Sequence, residues 1–115
     1  IAALNLILDF DLIEQGANVN ALDKSGMSPL RVAAQFGNIE LLKLLLANEA
    51  DPNLCGRDKV TPLMMAAYNG NPELIRVLVE NGADPKLKDR DGNNALKFAE
   101  MMNNQEAAKL LAKIK

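Results

Sequence analysis

Two stretches of the chain share one hydrophobic rhythm. Leu41, Leu42, Leu45 and Leu46 fall at i, i+1, i+4 and i+5, and Leu74, Ile75, Leu78 and Val79 repeat that spacing. On a helix of 3.6 residues per turn this makes one wide apolar stripe, with Glu40 and Lys43 outside it. Upstream of each stripe stands a second helix signal. Ser28-Pro29 and Thr61-Pro62 pair an N-cap residue with proline at the first helical position, where its missing N–H costs nothing. Alanine pairs follow, Ala33-Ala34 and Ala66-Ala67, and small residues let a neighbouring helix approach closely. Gly37 and Gly70 then break the chain before the stripe helices begin, near Ile39 and Pro72. The segment 81–92, NGADPKLKDRDG, sets Gly, Pro and Asp at turn positions and is not helical throughout.

The two halves are copies. Residues 22–54 laid over 55–87 without a gap agree at 14 of 33 positions, where average composition gives about two. A further step of 33 carries Leu63 to Leu96, Ala66 to Ala99 and Leu78 to Leu111, and Gly16-Ala17-Asn18 matches Gly82-Ala83-Asp84 two steps on. A fixed period of this length predicts a stacked array, because one helix pair cannot bury its own stripe.

Thr61-Pro62-Leu63-Met64-Met65-Ala66-Ala67, then Gly70, then Asn81-Gly82-Ala83-Asp84-Pro85, resemble an ankyrin repeat. The resemblance covers the whole chain as one domain: a partial repeat at 1–22, full repeats at 23–55 and 56–88, and a C-terminal capping repeat at 89–115. It implies an all-α repeat solenoid of stacked helix pairs with β-hairpin or turn loops. It also implies a non-catalytic module that binds another protein through the hairpin tips and the concave face of the first helices. Carried over by register, the tips are Lys24, Ser25 and Met27, then Arg57, Asp58 and Val60, then Arg90, Asp91 and Asn93. The helix-end positions are Gln35 and Phe36, Tyr68 and Asn69, and Met101 and Met102. Phe36, Tyr68, Met101 and Met102 make an expected patch rimmed by Arg57 and Arg90, since aromatic, Met and Arg side chains anchor interfaces. The competing reading has Phe36 and Tyr68 covering the glycine turn of the adjacent repeat and the methionines filling core gaps. Phe98, in register with Val32 and Met65, is read as core.

The chain departs from the family pattern in several places. The histidine usual after Thr-Pro-Leu is replaced by Arg31, Met64 and Lys97, and the chain has no histidine. The usual ties between adjacent loops are therefore in question. Lys59 stands where Gly26 and Gly92 stand, and Glu49 where Gly16 and Gly82 stand. Holding a left-handed turn there costs about 1 kcal/mol each. Lys59 reads either as tolerated drift or as a tip reshaped for a partner. In the partial repeat, Asp9 falls on a buried register and Phe10 on an outward one, which makes an irregular edge. At the other end, Asn103, Asn104 and Gln105 replace the Gly-Asn turn and its apolar successor. Lys109, Lys113 and Lys115 there suit the end of a helix.

Candidate chemistry is sparse. Asp89, Asp91, Asn93 and Glu100 reproduce positions 1, 3, 5 and 12 of a calcium loop. However, Asn94 holds the glycine position, and Gly82 and Pro85 break the helix that should precede the loop. No catalytic, metal-binding or cofactor-binding residues are expected. Without histidine and with one cysteine, Cys/His zinc sets and Ser-His or Cys-His pairs are excluded. A phosphate cradle would need the G-x-x-x-x-G-K spacing, which is missing. Lys and Arg are spread along a chain of net charge −2, which argues against nucleic acid. No run of about 18 apolar residues marks a membrane span. The lone Cys55 fits a reducing compartment, so an intracellular, cytoplasmic location is expected. A monomer is expected. The chain starts at Ile1 rather than Met and is expected to be a fragment, which leaves a second function open: a targeting or regulatory domain of a larger enzyme or effector.

Overall fold

In the computed structural model, residues 19–20 and 22–114 are described. Six helices follow one another: α1 Pro29–Phe36, α2 Ile39–Ala47, α3 Pro62–Asn69, α4 Pro72–Glu80, α5 Ala95–Met101 and α6 Gln105–Lys113. Asp9 and Phe10 of the partial repeat lie outside the described residues.

The first five helices each start where the sequence supplies an oxygen for an orphan N–H. Ser28 Oγ accepts from the Arg31 N–H at 3.1 Å, Thr61 Oγ1 from Met64 at 3.2 Å and Asn94 Oδ1 from Lys97 at 2.9 Å. Asn38 and Asn71 cap α2 and α4 through the amides of Leu41 and Leu74. The ends are equally regular. Five helices close with paired backbone bonds around a left-handed residue, such as Asn38 N–H to Ala33 C=O at 2.9 Å beside Gly37 N–H to Ala34 C=O at 3.3 Å.

The first helices, α1, α3 and α5, stack side by side, and α2, α4 and α6 form a second layer against them. Ala33, Ala34, Ala66, Ala67 and Ala99 have no exposed surface, nor have Leu41, Leu42, Leu45, Leu74, Ile75 and Leu78. The stripes read from the sequence thus face inward and join into one core. Phe98 is half-buried against that core, as is Met65. The described array measures 38 × 25 × 24 Å, elongated along the stacking direction. At the C-terminal face, Glu100 is exposed in the register where Ala34 and Ala67 are buried. A carboxylate there ends the alanine interface with a solvated group, as a capping repeat requires.

The tips are turns, with no strand among the described residues. In the first tip, Asp23 Oδ1 accepts the N–H groups of Ser25 and Met27 at 2.8 and 3.0 Å. Asp89 does the same for Asp91 and Asn93, at 2.9 Å each. The middle tip has Gly56 in that register, and packing explains why. A Cβ on Gly56 would stand 2.0 Å from the Gly26 carbonyl oxygen, so neighbouring tips touch backbone to backbone. Lys59 and Glu49 hold φ values of 59° and 69°, so both keep the left-handed turn despite their side chains.

A polar ladder runs along the opposite loops. Asn20 Oδ1 accepts the Asp51 N–H at 2.7 Å, and 33 residues on Asn53 Oδ1 accepts the Asp84 N–H at 2.7 Å. The Asn53 amide also donates to the Gly82 carbonyl at 3.1 Å.

Two stability predictions follow from this backbone. Glu49→Gly and Lys59→Gly should each raise stability by about 1 kcal/mol, seen as a higher urea midpoint at unchanged slope. Asn53→Ala should cost about 1–3 kcal/mol in the same measurement, since it strands an amide and a carbonyl between repeats.

Candidate functional site

Positions 35 and 36 of the first full repeat, 68 and 69 of the second and 101 and 102 of the last share one register. Stacking of α1, α3 and α5 brings these helix ends into a row. Phe36 is 56% exposed, Tyr68 42%, Met101 52% and Met102 42%. Four large apolar side chains therefore meet solvent at one end of three adjacent helices, while the alanine pairs are fully covered and the stripes are buried apart from the half-buried Leu46 and Val79. Gln35 is half-buried in the same row.

Asn69 stands in that row but is turned to another purpose. Its amide donates to the carbonyls of Ala34 at 3.0 Å and Gln35 at 2.6 Å, which ties α3 to the end of α1. One repeat on, Asn104 does this job from a different register. It donates to the carbonyls of Ala67 at 2.9 Å and Tyr68 at 2.8 Å and leaves its own helix α6 without a side-chain cap. The Asn104 amide crosses Gly70, where a Cβ would come within 2.6 Å of it. The two asparagines thus hold the carbonyl ends of α1 and α3 beside Phe36 and Tyr68.

The tips lie at the other end of the first helices. Lys24, Ser25, Arg57, Asp58, Arg90 and Asp91 are exposed, while Met27, Val60 and Asn93 are half-buried. Val60 packs on the core. A first helix of 8 residues separates tips from helix ends by about 12 Å, so Arg57 and Arg90 do not rim the apolar row. They border each other instead: the Arg90 guanidinium Nε–H donates to the Arg57 carbonyl, and the Arg90 N–H reaches the Asp58 carbonyl at 3.4 Å.

The register that usually holds histidine is used differently in every repeat. Arg31, 12% exposed in its side chain, pairs with Asp58 of the next tip at 2.8 Å. Met64 is buried, and its thioether accepts the Thr61 N–H at 3.4 Å, a weak bond that still answers a buried donor. Lys97 is exposed. Ties between repeats therefore persist without histidine, carried by one ion pair and by asparagine amides.

The calcium-loop spacing has a local explanation. Asp89 spends one carboxylate oxygen on two backbone N–H groups, and Glu100 lies in the last turn of α5, exposed. Among the described residues no group of three or more His, Cys, Asp or Glu side chains could hold a metal ion. No helix among them is long and apolar enough to cross a membrane.

Residues 32–115, well over half the chain, match the family model for ankyrin repeats in three copies, and residues 10–46 match a second model for ankyrin repeats in many copies. The chain belongs to the ankyrin repeat family. Ankyrin repeats are generally protein–protein interaction modules and are typically non-catalytic. Over 41 residues, 36% of this chain, it is 49% identical to the ankyrin repeat and LEM domain-containing protein 1 homolog of Caenorhabditis elegans, of which the match covers 6%. Over 35 residues, 30% of this chain, it is 40% identical to an ankyrin repeat protein of fowlpox virus (strain NVSL), FPV223, of which the match covers 25%. The chain thus spans a small part of the curated relatives it matches.

Within this ankyrin array the Arg31–Asp58 pair gives a pH signature. Burial pushes the Asp58 carboxyl up, but the Val60 N–H, the hydrogen bond from Arg31 and the Arg31 charge outweigh it and hold it below the ordinary value of 3.8. A carboxylate lowered in the folded state stabilises fully above its unfolded value, and the contribution is lost as pH falls through the folded value. Asp58 is about half exposed, so screening keeps the effect to roughly 1 kcal/mol or less. Asp58→Asn should therefore be slightly less stable than wild type from pH 5 to 7, about that much, and the difference should close below the ordinary value. Urea midpoints across that range check this.

Proposed function

We propose that this chain is a non-catalytic interaction module that acts inside the cell as a monomer and binds another protein. The partner is held by the helix-end row of Phe36, Tyr68, Met101 and Met102, with the hairpin tips as a second contact edge. One observation carries the reading. The array covers most of its repeated apolar residues, Leu87 being an exposed exception, yet leaves four large, non-repeated apolar side chains exposed in one row. The stack does not require these four side chains, and exposed apolar rows of this kind are where partners anchor. Family membership supports the same class of function.

A second reading makes the array the targeting or regulatory part of a larger protein. It is favoured by the small share, 6%, that the match occupies in the worm relative. Both readings need the same surface, and they differ in what is attached to it.

The test is affinity capture followed by crosslinking, with wild type beside a Phe36→Ala, Tyr68→Ala double variant. Both side chains are exposed, so the variant should keep its helical circular dichroism. The expected outcome is a protein crosslinked to wild type and lost, about tenfold or more, from the folded variant. Equal retention would move the site to the tips, and capture of nothing by either would leave the array a spacer.

A further inference from the structure

The second full repeat carries two Asn-Gly pairs, Asn69-Gly70 and Asn81-Gly82, and the chain has no others. The same registers in the first full repeat hold Phe36-Gly37 and Asn48-Glu49. Asparagine is chemically labile, and most so before glycine, which has no Cβ to hinder its nitrogen or restrict the backbone. That nitrogen attacks the asparagine Cγ and forms the new C–N bond of a five-membered succinimide. The Cγ–Nδ2 bond breaks, and ammonia leaves with the proton given up by the glycine N–H. Water then opens the ring, at one carbonyl to aspartate and at the other to isoaspartate. Water is the only co-reactant.

The two pairs are held differently. Asn81 is locked within its own helix: its amide donates to the Val77 carbonyl at 2.8 Å, and the Gly82 N–H donates to the Val79 carbonyl at 3.1 Å. Asn53 of the preceding loop holds the Gly82 carbonyl but neither of the reacting atoms. Asn69 is locked from both neighbouring repeats. Its Nδ2 donates to the Ala34 and Gln35 carbonyls of α1, so the leaving nitrogen is anchored in the preceding repeat. The Gly70 N–H donates to the Ala67 carbonyl at 3.1 Å, and the Asn104 side chain of the last repeat lies against Gly70. Attack by the Gly70 nitrogen needs the end of α3 to come free of both.

We propose that Asn69 is a deamidation site gated by the stacking of the repeats. While α3 is stacked, its amide is kept; when the end of α3 lifts away from α1 and from Asn104, the amide is lost. The product resists restacking. Two donors become a carboxylate facing the carbonyl oxygens of Ala34 and Gln35, where it meets the negative ends of two helices, α1 and its own α3. Isoaspartate also adds a methylene to the backbone just before the tight turn at Gly70. Opening of the array at this point therefore leaves a permanent mark, and the mark favours the open state. Loss of the Asn81 amide breaks only a contact within α4 and carries no such consequence.

The test follows both pairs in one chain by peptide mass mapping during incubation in mildly alkaline buffer, with Asn81 as the internal control. In full denaturant the two should convert at similar rates. In the folded chain Asn69 should convert about tenfold or more slowly than Asn81, because its opening breaks contacts with two repeats. Equal rates there overturn the gate. Asn104→Ala should speed Asn69 about tenfold and leave Asn81 within about twofold; an equal effect on both pairs makes unfolding of the whole array the cause and overturns the proposal. Urea below the midpoint supplies a perturbation that needs no variant. It favours openings that expose more surface, so it should speed Asn69 more than Asn81, and a rate at Asn69 that does not respond overturns the gate. For the product, Asn69→Asp should lower the urea midpoint at least about twice as far as Asn81→Asp. An equal or smaller drop overturns the claim that deamidation holds the repeats apart.

Discussion

The stack depends on how little space five alanines occupy. Ala33, Ala34, Ala66, Ala67 and Ala99 have no exposed surface, and they let α1, α3 and α5 lie close enough to share one core. A larger side chain at any of them would push a neighbouring helix outward, and overpacking of that kind costs about 1–3 kcal/mol. The spacing they fix is felt elsewhere. It brings the Gly56 backbone against Gly26, so that tip can carry no side chain there. It also brings the Asn69 and Asn104 amides within reach of the preceding helix's carbonyls.

Close approach makes the polar bookkeeping strict. Loops drawn together shield backbone groups from water, and each shielded group needs a partner. This array meets most of the need with short amides rather than with histidine, while the buried Arg31 Nε has no partner. Asn20 and Asn53 bridge the outer loops, Asn69 and Asn104 bridge the helix ends, and Arg31 reaches the next tip. The solutions differ between repeats because each is judged only on whether its own donors and acceptors are satisfied. Met64 lies where another repeat uses arginine, and its weak sulfur contact suffices because a single N–H is at stake.

Much of the fold was legible in the sequence because the period repeats its reasons. Cap, proline, alanine pair, glycine and leucine stripe recur at 33 residues, and each is a local rule. Left-handed backbone at Lys59 and Glu49 was legible too, since the repeat placed them on glycine registers. The exposure of Phe36 and Tyr68 followed from register, but that of Met101 and Met102 competed with core filling, and the structure puts both at the surface. Gly56 was not legible, because its reason is a contact with another tip. The asparagine ladder was within reach: Asn20 and Asn53 are 33 apart, one step outside the aligned window. Asn104 was out of reach, because it abandons the N-cap role its position suggests. Placing Arg57 and Arg90 around the apolar row failed for a simpler reason. Tips and helix ends are near in sequence but separated by the length of a helix.

What the stack leaves undetermined is where its specificity must lie. Buried registers are constrained by close packing, and loop registers by hydrogen bonding. Asn69 apart, the exposed ends of the first helices answer to neither, and any soluble residue would serve the fold there. Lys or Arg would serve it better than what is present, because cations suit the ends of helices. Instead those ends carry Phe36, Tyr68, Met101 and Met102, all exposed. Large apolar side chains left at the surface at the same helix ends in every full repeat require a cause outside the fold. Contact with a partner is a cause of that kind, because it acts on the row as a whole and not on any single helix.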